Sequence, residues 1–174
     1  MQKSKITILL AAHNGEQYIG EQIDSILNQT FKPSKILVNI DQSSDKTLSI
    51  VEKYSRQFTN INIINSKKKF GSAAANFIDL LSHVDLKDID FIALTDQDDL
   101  WKEGKLERAI HKLNQGYDGF SSNIEAFWED GRKKVLIKNQ PQQNFDHLFE
   151  SAGPGCTFVM NKKLALCLQQ FLKV

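Results

Sequence analysis

The sequence is short of cysteine, of net charge and of long apolar runs, and each shortage excludes a class of protein. The two cysteines, Cys156 and Cys167, lack the paired spacing of a zinc site, so we expect reduced thiols that only fill space in a cytoplasmic protein. Lysines and arginines number 22 against 21 acidic residues, and the formal net charge of +1 gives no general attraction to nucleic acid or to an anionic membrane. The longest largely apolar stretch, Ile6–Ala12, is far too short to span a bilayer.

Several motifs of common enzymes are missing as well. No Gly-x-Gly-x-x-Gly follows a strand-like run and no Gly-Lys-Ser/Thr occurs, which argues against the usual dinucleotide and nucleoside-triphosphate sites. There is no nucleophile elbow of the Gly-x-Ser-x-Gly type. Aromatic residues do not interleave with basic ones, so nucleic acid is not an expected partner. Met1–Lys5 leads directly into the first apolar run, and we therefore expect no signal peptide.

Apolar periodicity predicts alternating strands and helices over the first half of the chain. The predicted strands are 6–12, 35–40, 60–65 and 91–95, and the predicted amphipathic helices are 16–29, 45–58 and 72–84. Three successive strand–helix units within about 90 residues imply a mostly parallel sheet with helices on both faces. Such sheets bind ligands at the carboxyl ends of their strands.

The second half of the chain has a different pattern. It predicts a helix over 105–114, a strand over 119–122, a hairpin of 125–128 with 134–138, a strand over 157–160 and a final helix from Lys162. The pattern of that last helix continues to Val174 without a cap or a polar tail, so we expect a chain cut inside a larger protein.

Three carboxylates, those of Asp96, Asp98 and Asp99, follow directly after an apolar run and precede Trp101. Crowded acids repel one another and lose hydration unless a cation or a helix N-terminus lies beside them. Asp96 and Asp98 are two residues apart, so a turning segment can bring both to one ion. Magnesium and manganese prefer such oxygen ligands and also take ligands from substrate phosphates. The alternative is that Asp98 or Asp99 caps the helix that follows.

Two other predicted strand ends carry polar side chains. Asp41 follows the second strand, where its carboxylate can accept a hydrogen bond from the imide N–H of a pyrimidine base, whereas Asp45 is expected to cap the next helix. At the end of the first strand, the small Ala11 lets a ligand approach the backbone and His13 offers a flat ring. A loop histidine without such a role is the alternative for His13. Glu16 is placed to complement the dipole of the helix that it precedes.

A run of three lysines, 67–69, follows the third predicted strand and leads through Gly71 to Asn76. A basic loop at a strand exit, with a glycine before a helix, can face a diphosphate. A solvated lysine run is the more common explanation of such a pattern.

These motifs, taken in order, resemble the family 2 glycosyltransferases with a GT-A fold. Residues 6–15 and 18–30 resemble the start of sequences in that family. Residues 36–47 resemble its strand followed by Asp-Asp-Gly-Ser, and residues 151–165 resemble its Gly-rich strand entry near the acceptor. The segments 70–77 and 95–101 resemble the bacterial rhamnosyltransferase branch, where Asp-Gln-Asp-Asp followed by a hydrophobic residue and Trp is typical. The resemblance extends over nearly the whole chain.

The resemblance implies an inverting enzyme that moves a sugar from a nucleotide-diphosphate donor, dTDP-rhamnose or a UDP-sugar, to a glycan or lipid-linked acceptor in surface polysaccharide synthesis. It implies an α/β fold in one domain, with a nucleotide-sugar-binding half (1–101) and a partial acceptor-side half (102–174). One alternative is a sugar-nucleotide nucleotidyltransferase, which the segment 13–16 disfavours because it is not a Gly-rich loop with Arg or Lys. The other is a binding module that has lost turnover.

The resemblance also implies the site residues. The nucleotide sugar would be bound by Ala11, His13, Glu16, Asp41, Gly71, Asn76, Asp96 and Gln97. Asp96 and Asp98 would form the Asp-x-Asp motif that holds Mn2+ or Mg2+, with Asp98 as the direct ligand and the metal as a Lewis acid on the leaving diphosphate.

Two departures from the family pattern limit this assignment. The family's Asp-Asp-Gly-Ser is Ile40-Asp41-Gln42-Ser43 here, so the first acid is missing. The general base of such enzymes follows the Gly-rich strand and its helix, which places it beyond Val174, and Glu150 does not match it. We therefore assign no catalytic base and expect this chain to bind donor and metal but to transfer sugar poorly. Any peripheral association with the inner face of the cell membrane is expected to come from that same later region.

Overall fold

The structure is a computed structural model that describes residues 4–65, 68–138, 141, 143–145, 148 and 153–172. Some residues singled out above lie outside the described residues, namely 1–3, Lys67, Glu150, the start of the Gly-rich segment at 151–152, and Val174.

Four parallel strands form the larger part of a six-stranded sheet. They are β1 (Ile6–Ala12), β2 (Lys35–Ile40), β3 (Ile61–Asn65) and β4 (Phe91–Asp96). Two short strands, β5 (Gly119–Phe120) and β8 (Val159–Asn161), extend the sheet beyond β4. Strand β8 pairs antiparallel with β4, β5 pairs antiparallel with β8, and the strand order is β3-β2-β1-β4-β8-β5. Every residue of β1 is buried, because a parallel sheet is covered on both faces. The predicted sheet, mostly parallel, is confirmed.

Five helices cover the two faces of the sheet. They are α1 (Ile19–Leu27), α2 (Thr47–Gln57), α3 (Ala73–His83), α4 (Lys105–Leu113) and α5 (Lys162–Leu172). The buried residues of α1, α2 and α4 pack against one face, and those of α3 and α5 pack against the other. The helices α1 to α4 are each slightly shorter than their predicted ranges. In the part of the chain that the structure describes, every helix is too short or too polar to cross a bilayer.

A separate two-stranded hairpin joins β5 to the last part of the sheet. Its strands are β6 (Ile124–Phe127) and β7 (Lys133–Leu136), and its turn uses Gly131 at a φ of 83°. The predicted hairpin is therefore confirmed. The predicted strand over 157–160 begins later, because Gly155–Thr157 forms a 3-10 helix whose last amide donates to the carbonyl of Pro154 at 2.9 Å.

Candidate functional site

The carboxyl ends of β2, β1 and β4 lie side by side and carry most of the predicted site residues. In the sheet register, Ala11 of β1 is opposite Asn39 of β2 on one side and Asp96 of β4 on the other. Directly opposed residues share a face, so Asp41, two residues after Asn39, is on the same face as Asp96. Ala11 is only 3% exposed and packs among core residues, so its predicted contact with a nucleotide sugar stays a prediction.

The loops after β1 and β2 are tied together by hydrogen bonds. Asn14, at a φ of 46°, donates its amide to the hydroxyl of Ser43 at 3.0 Å. Its side-chain oxygen accepts from the amide of Ser44 at 2.9 Å. The carboxylate of Glu16 accepts from the amide of Lys46 at 2.8 Å, just before α2. Glu16 thus accepts a hydrogen bond next to the N-terminus of α2 and not at α1, the helix that it precedes. Its predicted contact with a ligand stays a prediction.

Asp45 also acts at the start of α2. Its carboxylate accepts the backbone amide of Thr47, the first residue of the helix, at 3.0 Å, and the amide of Glu16 at 2.9 Å. The N-cap residue of α2 is Lys46, without a side-chain cap, so Asp45 is not the predicted N-cap but binds the first helical amide from the position before it. Burial alone would raise the pKa of Asp45, but these bonds and the Thr47 hydroxyl hold the pKa below its ordinary value.

Asp41 organises the loop before α3. Its carboxylate accepts three backbone amides, those of Gln42 at 2.7 Å, Phe70 at 2.9 Å and Gly71 at 2.9 Å. Asp41 is 6% exposed, and burial alone would raise its pKa, but the three amides and the nearby His13 keep the pKa below its ordinary value. The structure thus brings Asp41 and Gly71 together, and their predicted contacts with a nucleotide sugar stay predictions.

Asn76 and Lys68 hold α3 against β2. The Asn76 side chain is 2% exposed and donates to the carbonyl of Asn39 at 3.4 Å, so it faces the sheet. Lys68 pairs with the carboxylate of Asp79, which also accepts from the Asn39 side chain at 2.9 Å. Lys68 is therefore part of an ion pair and is not simply solvated. Asn76 contacts a ligand only if this buried packing changes, so its predicted role in donor binding stays a prediction.

We call residues 96–101 the carboxylate loop. The side chain of Asp98 is exposed, whereas Asp96 and Asp99 are half-buried. Burial, together with the charges of Asp99 and Asp98, raises the pKa of Asp96 to about 6. The helix-capping alternative is wrong, because α4 begins at Lys105 behind Gly104 and receives no side-chain cap.

Asp99 is the acid that the sequence analysis left out of the metal site. Its Oδ2 atom is buried and lacks a hydrogen-bond partner among the described residues. Burial raises the pKa of Asp99, and the charge of Asp98 adds to the rise, although a hydrogen bond from the Cys156 thiol opposes it. Cys156 does more than fill space, because it touches this loop from a segment far along the chain. The sequence alone held no signal for this contact.

Lys105 is a second residue that the sequence analysis did not single out. Its ammonium donates to the carbonyl oxygen of Cys156 at 2.8 Å and lies 3.2 Å from the centre of the Trp101 ring. Burial lowers the pKa of Lys105 to about 7, although the charge of Asp99 opposes this shift. The indole face favours the charged form as well.

The carboxylate loop fits a divalent cation that a bound ligand helps to hold. In the segments that the structure describes, no three acidic, histidine or cysteine side chains converge closely enough to hold an ion by themselves. Mg2+ is usually bound by one or two carboxylates together with water and substrate phosphates. The buried, unpartnered oxygen of Asp99 and the mutual repulsion of the acids suit such a cation.

Gln97 connects the carboxylate loop to the end of β1. Its side-chain oxygen accepts the backbone amide of His13 at 3.2 Å, and the ring of His13 is exposed above this contact. Gln97 also packs against Gly15, where an added Cβ would lie 2.6 Å from Cγ and 3.1 Å from Cβ of Gln97. A glycine is therefore needed at position 15 for Gln97 to reach His13.

We expect Gly15→Ala to push Gln97 away from His13 and to lower the free energy of unfolding by about 1–3 kcal/mol, the usual cost of overpacking. Urea unfolding measures this change. Gly20→Ala is the matched control, because an added Cβ in α1 would come no closer than 3.7 Å to the Tyr54 hydroxyl. The control should stabilise the protein by about 0.5–1 kcal/mol. Equal effects of the two substitutions would show that the Gln97 contact is unimportant.

Comparison with known proteins finds relatives along most of the chain. The family profile described as Glycosyl transferase family 2 matches residues 7–166. The chain is 40% identical over 165 residues to the dTDP-rhamnosyl transferase RfbG of Shigella flexneri, and this match covers 94% of the chain and 57% of the relative. The chain thus spans little more than half the length of this curated relative.

Solved structures share the fold. TarS 1–349 of S. aureus in complex with UDP-GlcNAc has a TM-score of 0.68 at 23% identity, over 94% of this chain and 47% of that one. The mannosyltransferase PcManGT from Pyrobaculum calidifontis, in complex with GDP-Man and Mn2+, has a TM-score of 0.67 at 18% identity, over 97% of this chain and 47% of that one. At these identities the likeness establishes the fold and nothing about the ligand.

Proposed function

Because the chain belongs to glycosyl transferase family 2, we propose that it forms the donor-binding part of an inverting glycosyltransferase. In this proposal the sugar passes from a nucleotide-diphosphate donor to a glycan or lipid-linked acceptor during surface polysaccharide synthesis. One observation carries the proposal. Asp41, a desolvated acid that accepts three amides, follows β2, and the loop of mutually repelling carboxylates follows β4. Only β1 separates these two strands, and Asp41 and Asp96 are on the same face of the sheet.

The Asp41 carboxylate is the proposed contact for the nucleotide base. Its Oδ1 atom accepts two of the three amides and its Oδ2 atom accepts one, so Oδ2 keeps a lone pair for a donor such as the imide N–H of thymine or uracil. The depressed pKa of Asp41 keeps this acceptor ionised at neutral pH. The exposed His13 follows β1, the strand between β2 and β4, and its amide donates to Gln97 of the carboxylate loop, so these two residues are the proposed contacts for the ribose.

The carboxylate loop is the proposed site of Mn2+ or Mg2+. Asp96 and Asp98 are the proposed ligands, and Asp99 adds negative charge that acts on Asp96. When bound, the metal would supply Lewis-acid stabilisation of the leaving diphosphate. These residues hold the diphosphate end of the donor, while Asp41 holds the base end.

The donor itself is proposed as dTDP-rhamnose, on the basis of the 40% identity with a protein named dTDP-rhamnosyl transferase. A UDP-sugar is the rival donor. Both carry a pyrimidine base with an imide N–H, so Asp41 serves either one. In this proposal, discrimination between the two donors therefore depends on contacts with the sugar and not with the base.

Calorimetric titration tests the proposed function. We expect dTDP or UDP to bind with a dissociation constant between about 1 µM and 1 mM in Mn2+, the range of typical substrate affinities, and much more weakly in EDTA. A nucleoside triphosphate that releases pyrophosphate in the presence of a sugar phosphate would instead indicate a nucleotidyltransferase. If neither nucleotide binds with or without Mn2+, the proposal is wrong.

A further inference from the structure

Polar side chains of α1, and of a residue just after it, contact the chain at both ends of the carboxylate loop. Gln22 and Ser25 lie three positions apart, so they share one face of α1, and Gln29 follows the C-cap residue Asn28. Gln22 and Gln29 are both 0% exposed, and Ser25 is half-buried. Burying a polar side chain costs free energy unless it is hydrogen-bonded, so the partners of these residues show which segment they hold.

Gln22 and Ser25 hold the two ends of the carboxylate loop. The side-chain amide of Gln22 donates to the hydroxyl of Thr95, the last residue before the loop. The Ser25 hydroxyl oxygen accepts the backbone amide of Trp101, the last residue of the loop, at 3.1 Å. The same hydroxyl donates its proton to the carbonyl of Gln22 at 2.8 Å, which leaves its lone pairs for Trp101. Both ends of the loop are thus attached to one turn of one helix.

Gln29 holds the segment between the carboxylate loop and α4. Its side-chain nitrogen donates to the carbonyl of Lys102 at 3.1 Å and to the carbonyl of Ser25 at 3.1 Å. Its side-chain oxygen accepts the backbone amide of Leu106, the second residue of α4, at 3.2 Å. The N-cap residue of α4 is Gly104, which has no side chain to accept this amide. One buried side chain therefore fixes the exit of the loop and the start of α4.

We propose that Gln22, Ser25 and Gln29 are positioning residues that hold the carboxylate loop in the shape that a divalent cation requires. The inference rests on the proposed metal site. Acids that repel one another move apart when the backbone that carries them is free, and fixing a flexible backbone costs conformational entropy. Because both ends of the loop are already held, less of that entropy is lost when the cation binds Asp96 and Asp98. The three side chains act through the loop backbone and not by contact with the metal.

Ser25→Ala tests this role with the smallest change to α1. Alanine removes the acceptor of the Trp101 amide and is itself a good helix former, so the variant should fold. We expect half-maximal Mn2+-dependent binding of dTDP or UDP to need about 10-fold more Mn2+, the lower end of the usual loss when a residue that supports a metal ligand is replaced. Excess Mn2+ should restore nucleotide binding. A substitution that merely damaged the fold would not be rescued by the metal.

Ser55→Ala is the matched control. Ser55 is a half-buried serine of α2, and its hydroxyl donates to the carbonyl of Glu52, three residues earlier, at 3.0 Å. Ser25 makes the same bond within α1 but also holds the carboxylate loop. The control removes only the bond within the helix, so the Mn2+ requirement should change less than about 2-fold.

Gln29→Met is a second variant of the same attachment. Methionine keeps the length of the side chain and removes its hydrogen bonds to Lys102, Ser25 and Leu106. The Mn2+ requirement should rise at least as much as in Ser25→Ala. If one of these two variants does not fold, the other decides by the same criteria.

The experiment is a calorimetric titration of each protein with dTDP and with UDP at a series of Mn2+ concentrations. A raised Mn2+ requirement in Ser25→Ala and Gln29→Met that excess Mn2+ overcomes, with little change in Ser55→Ala, supports the positioning role. An unchanged requirement in either variant, a loss that excess Mn2+ does not restore, or an equal change in Ser55→Ala overturns it while the proposed metal site stands. If the wild type binds neither nucleotide, or binds them without Mn2+ equally well, the proposed site itself is wrong and the positioning role falls with it.

Discussion

Replacement of Asp98 by asparagine is expected to weaken Mn2+-dependent binding of dTDP or UDP by about 100-fold. The substitution keeps the shape of the side chain and removes the negative charge that a hard divalent cation requires. Loss of a residue that only supports a metal ligand commonly costs 10- to 100-fold in affinity, so loss of a direct ligand belongs at the upper end of that range. Calorimetric titration with and without Mn2+ measures the change directly.

The same substitution should leave the fold intact. Asp98 is exposed, and its charge contributes to the raised pKa of Asp96 and of Asp99. Neutralising it relieves repulsion, so the metal-free variant should melt no earlier than the wild type. A loss of nucleotide binding together with an unchanged or higher melting temperature therefore identifies a ligand rather than a structural residue.

Asp88→Asn is the control for this prediction. Asp88 is an exposed acid just before β4, at the opposite end of the strand from the carboxylate loop. The control makes the same change in charge, and nucleotide binding should not change. If Asp98→Asn binds nucleotide as well as the control does, the carboxylate loop is not the metal site.

Replacement of Asp41 by alanine is expected to have the largest effect on stability. The substitution removes the acceptor of three backbone amides at a position that is 6% exposed. Each buried amide left without a partner costs about 1–3 kcal/mol, and water at the loop can satisfy some of them. We expect the free energy of unfolding to fall by about 3–5 kcal/mol in urea denaturation, and nucleotide binding to be lost as the loop at Phe70 and Gly71 is released.

Asp130→Ala is the control for this second prediction. Asp130 accepts one backbone amide, that of Arg132 at 3.1 Å, in the exposed turn of the hairpin. Its loss should cost less than about 1 kcal/mol because water replaces the acceptor. If Asp41→Ala is no less stable than this control, the three amides do not depend on the Asp41 carboxylate.

The pH dependence of stability gives an independent check on Asp41. Its pKa in the folded protein is lowered, so the folded state binds its proton less readily than the unfolded state does. The stabilisation from Asp41 is therefore complete above about pH 4, the ordinary pKa of an aspartate, and is lost as the pH falls through the lower folded value. Melting temperatures of the wild type should fall more steeply below pH 4 than those of Asp41→Asn. Parallel curves would contradict the assignment.

Much of the fold could be predicted from the sequence, because its strongest signals are local. The bounds of β1 and β2 match the prediction at both ends, since a strand covered on both faces is a continuous apolar run. The α/β architecture of the GT-A type is confirmed by the sheet and by the structures it resembles. Helix ends were less accurate. For example, α1 begins at Ile19 instead of Glu16, because the residues before it form a loop bonded to the start of α2.

The sequence by itself determined the fold class, the family and the positions of Asp41 and the carboxylates at strand ends. These follow from apolar periodicity and motif order, which are properties of neighbouring residues. Only the tertiary structure decided that Asn76 is buried against β2, that the Oδ2 atom of Asp99 is buried, and that Lys105 meets Cys156 across 51 positions of sequence. Such contacts depend on how helices and turns pack on the sheet. Because packing joins residues distant in sequence, no local pattern predicts which charges become neighbours.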